Sequence, residues 1–116
     1  MATYKPPQAV QTAAQRALEW IADGKAGSGF TATGRARAIQ LARGAEVSDD
    51  TIKRMRSYFA RHEVDKKATG FKQGEPGFPS PGRVAWDAWG SDSGQRWVNS
   101  IKLDDESPAE VDKNNK

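Results

Sequence analysis

The stretch "LARGAEVSDDTIKRM", Leu41 to Met55, decides the fold of this chain. Leu41 and Ala42 close one helical pattern with an apolar anchor and a small residue, and Gly44 marks its stop. Ser48 is an N-cap residue, followed by Asp49 and Asp50 where negative charge meets the positive end of a helix dipole. Ile52, Met55, Phe59 and His62 then recur at helical spacing and draw one stripe along a further helix. A helix, a tight turn and an anchored second helix resemble the helix-turn-helix pattern. Two residues depart from it. Glu46 stands where glycine is usual in the turn, and Asp49 and Asp50 occupy positions that would face bases and phosphates.

The flanks read as further short helices. Pro6 and Pro7 suit the start of a first helix of about fifteen residues, on which Val10, Ala14, Ala17, Leu18 and Ile21 share a face. "DGKAGSG" ends it, and Thr31 or Thr33 caps a second helix through Arg43, with Ala38, Leu41 and Ala42 on one side. After Lys67, "ATGFKQGEPGFPSPG" is a loop pinned by Phe71 and Phe78. Ser80 with Pro81 starts the short helix "GRVAWDAW", which ends at Gly90. Ser91 or Ser93 starts a last helix carrying Trp97, Val98 and Ile101. From Leu103 the composition turns polar and aperiodic, the mark of a disordered tail. No strand pattern and no repeat is visible. The expectation is an all-α domain over residues 1–102, a compact bundle of four to five short helices with a helix-turn-helix-like pair and a Gly/Pro-rich loop, and a disordered acidic tail over 103–116.

Composition narrows the function classes. With 116 residues there is room for one domain, and four Trp and four Phe can carry a modest core. The absence of cysteine excludes disulfides and thiolate metal sites. No apolar run approaches the roughly 20 residues that span a bilayer, and "MATYKPPQAV" lacks a signal-peptide core, so the chain is expected to be soluble, made in a cytoplasm and without a membrane partner. The net charge of +3 is uneven: residues 1–102 hold 16 Lys and Arg against 10 Asp and Glu, while 103–116 hold 2 against 5. A basic body with an acidic tail suits a nucleic-acid binder and equally a domain with a solvated tail.

Catalytic chemistry finds little support. "FARHEVDKK", Phe59 to Lys67, contains the only histidine, and a zinc helix needs two, four residues apart. His62 reads instead as a partly buried residue near a helix C-terminus. No nucleophile elbow surrounds any serine, and "GKAGSG" lacks the Lys-Ser/Thr ending of a phosphate loop. No catalytic residue, metal or cofactor is expected, and no enzyme.

The basic residues carry the better functional signal. Lys53, Arg54, Arg56 and Arg61 follow the acidic pair on the third helix, with Arg54 and Arg61 on one face, and Arg35 and Arg37 lie on the second. Together they are the candidate nucleic-acid surface, suited to phosphates and hence to affinity rather than sequence reading. Trp86, Trp89, Arg83 and Arg96 are the candidates for a partner surface, should an indole prove exposed; a small domain more often spends such rings on its core.

"GRARAIQLARG", "VSDDTIKRMRSYFARHEVDKK" and "PSPGRVAWDAWGSDSGQRW" together resemble a small domain recurrent in proteins of tailed bacteriophages and prophages, found alone or beside prohead-protease and other head-morphogenesis segments. The resemblance covers roughly residues 5 to 100; relatives often carry Gly-Gly-Asp where this chain has Gly90-Ser91-Asp92. It implies a phage origin, in the cytoplasm of an infected bacterium or in the virion, and brings no established activity or site residues. The expected function is therefore a non-enzymatic, phage-type accessory protein that binds nucleic acid, with a protein-interaction module, either a head-assembly component or a factor engaging a host protein, as the alternative.

Overall fold

A computed structural model describes residues 2–103. It is built of helices α1 (Gln8–Ala22), α2 (Ala32–Ala42), α3 (Asp49–His62), α4 (Pro81–Ala88) and α5 (Ser91–Ser100), with a 3-10 turn over Glu63–Lys67. Five short helices match the all-α expectation, and their limits follow from local chemistry. Pro7, fixed in extended backbone, precedes α1. The Thr31 hydroxyl accepts from the Gly34 amide at 3.0 Å, Ser48 from Thr51 at 3.3 Å and Ser80 from Arg83 at 3.1 Å, so three helices are capped by the side chain before them. Of the two threonines that could cap α2, Thr31 does so.

The chain does contain a strand pair, which the sequence does not announce. Thr3–Tyr4 (β1) and Val47–Ser48 (β2) pair antiparallel, Thr3 opposite Ser48 and Tyr4 opposite Val47. Two residues per strand are too few for a period-two signal. The pairing ties the N-terminus to the turn between α2 and α3, and Lys5 Nζ adds a bond to the Gly44 carbonyl at 3.0 Å. Gly44 takes φ +70 there, a backbone conformation that favours glycine, and a Cβ on it would also press on the Gln11 amide at 3.0 Å.

Small residues set how the helices meet. Ala13, Ala14 and Ala17 line the buried side of α1, which packs chiefly on α2 and α4. Helix α3 instead packs chiefly on α5. The helix-turn-helix-like pair thus follows in the expected order, but each member leans on a different neighbour. Phe59, Trp86, Leu41, Ile52 and Met55 fill the centre. Tyr58 joins them, one residue off the stripe drawn from sequence.

Leu103 corrects the domain boundary: it is buried in the core cluster and not the start of a tail. The segment holding it is fastened by Arg56, whose guanidinium donates to the Val98 carbonyl at 2.9 Å and to that of Ile101. The rest of the expected acidic tail, residues 104–116, lies outside the described residues.

Candidate nucleic-acid interface

Because α2 and α3 rest on different neighbours, a groove of about 1050 Å³ opens beside them. The basic side of α3 forms one wall with Lys53, Arg54, Ser57 and Arg61. The glycine-rich loop from Ala26 to Phe30 and the N-terminus of α2 form another, and the first turn of α4 contributes Pro81 and Gly82. Spacing explains the first wall: residues 54, 57 and 61 recur at three and four along one helix face.

The floor is aromatic. Trp89 stacks on Tyr58 with centroids 4.7 Å apart and planes 7° from parallel, and His62 stacks on the same ring at 4.5 Å and 21°. Arg37 lies over Trp89 at 5.3 Å. These pairs order into a column, Arg37–Trp89–Tyr58–His62, whose last ring is 42 % exposed on the groove. Tyr58 itself is enclosed, and its hydroxyl has no hydrogen-bond partner among the described residues. Burial, with Asp65 and Asp87 nearby, pushes that phenol well above its ordinary value, so it stays neutral. Burial, and then the neighbouring Arg54, lower the Arg37 guanidinium from its ordinary value. Two arginines from different helices therefore feel each other at the groove's edge.

The six cations proposed from sequence divide. Lys53, Arg54 and Arg61 line the groove and are exposed. Arg54 and Arg61 make no ion pair with any described residue. Arg37 is half-buried on Trp89, with a bond to Gln40, and Arg35 is exposed on α2 outside the groove lining. Arg56 points the other way, into the α5 carbonyls, where it is a fastener of the fold. The acidic pair also divides: Asp50 is exposed at the start of α3, while Asp49 is half-buried with one oxygen enclosed.

The partner-surface candidates fare differently. Trp86 is 1 % exposed, its indole N–H donating to Asp92 at 2.9 Å, and Trp89 is the groove's covered floor. The core claims both rings, because a domain of this size has few other side chains of that bulk. Arg83 is committed to Asp87 at 3.0 Å and to the Phe71 carbonyl at 2.8 Å, leaving only Arg96 of the four exposed. Among the described residues Val64 is the one large hydrophobic side chain that is exposed.

His62 Nδ1 lies 3.1 Å from an Asp65 carboxylate oxygen, and no cluster of three metal-ligating side chains occurs among the described residues. No helix of those residues is long and apolar enough to cross a membrane. Sequence reasoning missed Tyr58 and the groove-lining loop. Tyr58 stands four residues before His62, the stacking distance on a helix, and that was the available signal. The loop's wall role had none, because it depends on α2 and α3 standing apart.

No protein-family model, no curated protein and no solved structure matches the chain.

Proposed function

We propose that this chain is a non-enzymatic accessory protein of phage type that binds nucleic acid in the groove beside α3. One observation carries the reading: Lys53, Arg54 and Arg61 converge on a single groove whose lining contains one acid, Asp65. Three exposed cations against one acid in the lining suit a polyanion, and each phosphate they engage releases condensed counterions. The N-terminus of α2 opens on the same groove through Thr31 and Thr33, adding the positive end of a helix dipole. The protein-partner alternative draws on an exposed indole, and none of the four tryptophans is fully exposed.

Arg56 belongs to the fold, so the informative variant is Arg54→Ala/Arg61→Ala. Binding of mixed nucleic acid to the full chain should fall steeply between about 50 and 200 mM salt. In the variant it should weaken about tenfold or more, with a salt slope shallower by about two phosphates' worth. Binding absent at the lower salt, or identical in variant and wild type, would remove the reading.

A further inference from the structure

We infer that the groove accepts single-stranded nucleic acid in preference to duplex, with a base stacked on His62. The inference rests on the nucleic-acid reading above and narrows it. Duplex readers push a helix into a major groove about 12 Å wide, so the reading face must stand proud of its surroundings. Here the basic face of α3 is flanked instead by the loop from Ala26 to Phe30 and by Pro81 and Gly82. The cations line a concavity. Its volume of about 1050 Å³ is just above the roughly 300–1000 Å³ of ligand sites, which suits a few unpaired nucleotides and not a double helix. The exposed Asp50, at the end of α3 that would meet a duplex first, further disfavours one.

The aromatic column supplies what a single strand needs and a duplex cannot use. Trp89 and His62 stack on Tyr58, so the inner face of the His62 ring is occupied while the ring is open to the groove. The column can grow by one more planar ring, and an unpaired base has such a ring to offer. Phe30, half-buried, also lines the groove. Lys53, Arg54 and Arg61 then run beside the base along the course of a sugar–phosphate backbone. Stacking with phosphate contacts is the arrangement of binders that tolerate most sequences.

The test is anisotropy with a labelled oligothymidylate of about twelve nucleotides and a blunt duplex of the same length, using the full chain at low salt. The single strand is expected to bind at least about tenfold tighter. His62→Ala should lose about fivefold or more for the single strand, the range of one base stack, while His62→Phe, which keeps a ring, should retain most of the affinity. Circular dichroism of both variants separates loss of stacking from loss of fold. Duplex bound as tightly as single strand would overturn the inference and leave the nucleic-acid reading standing. Equal losses in folded His62→Ala and His62→Phe would overturn it as well. Binding of neither probe would remove both.

Discussion

Around Asp87, Arg16 and Arg83 close on one carboxylate at 2.8 and 3.0 Å, while along the groove Arg54 and Arg61 meet no acid among the described residues. Both regions set arginines beside aromatic rings: Arg83 lies within 6 Å of Trp20, Phe71 and Phe78, and Arg37 lies over Trp89. The difference is the buried counter-charge. Asp87 is wholly enclosed, so it needs both guanidinium groups, and those groups clamp α1, α4 and the 68–80 loop into one unit. Arg54 and Arg61 have no such buried carboxylate beside them and stay exposed on the groove. Arginine is thus architectural in one place and a candidate binding group in another, and what decides is whether a carboxylate has been buried against it.

Removing the counter-charge is the harshest way to break this contrast. Asp87→Ala leaves Arg16 and Arg83 facing each other without an acid and should cost about 3 kcal/mol in urea unfolding, with nucleic-acid affinity of the folded protein unchanged. Native-like stability in that variant would show that the clamp does not hold the fold. A smaller effect separates two arginines two residues apart on α3. Arg56→Ala gives up bonds to the Val98 and Ile101 carbonyls and should cost about 2 kcal/mol, whereas Arg54→Ala should stay within about 0.5 kcal/mol and act on binding alone. Equal destabilisation by the two would erase the distinction between fastening and groove arginines.

The smallest effect is a pH dependence. Burial alone would raise the Asp92 carboxyl, but hydrogen bonds from Lys66 and Trp86 outweigh it and hold the group below its ordinary value. A carboxyl depressed in the folded state stabilises the protein above its unfolded pKa, and that stability is lost as pH falls through the folded one. Acid unfolding below about pH 4 should therefore be shallower in Asp92→Asn than in wild type. The difference is modest because the carboxylate is more than half exposed. Superimposable acid profiles would show that the Lys66–Asp92–Trp86 contact adds nothing to stability.

Much of the architecture is legible from the residues because helix limits are local. Ser48 with Asp49 and Asp50, Ser80 with Pro81, and Gly44 in left-handed backbone each mark a terminus through atoms a few positions away. The two-residue strands and the carbonyl contacts of Arg56 join positions roughly forty residues apart, so no short window contains both partners, and Leu103 is buried in a core assembled from most of the chain. The candidate site divides along the same line. Lys53, Arg54 and Arg61 are visible as a basic run, but nothing in the run shows that Arg56, two positions on from Arg54, turns inward.

The amino-acid sequence alone determined a bundle of four to five short helices, the Ser48 and Ser80 caps, an aromatic core and a basic body, because capping, periodicity and charge act over one or two turns. Tertiary structure alone decided which charges are spent. Helix α2 settles on α1 and α4, and α3 on α5, which opens the groove, stacks His62 on Tyr58 against Trp89, and buries Asp87 between two arginines that neutralise it. A charge's role depends on the dielectric and the partner around it, and both are set by residues distant in the chain.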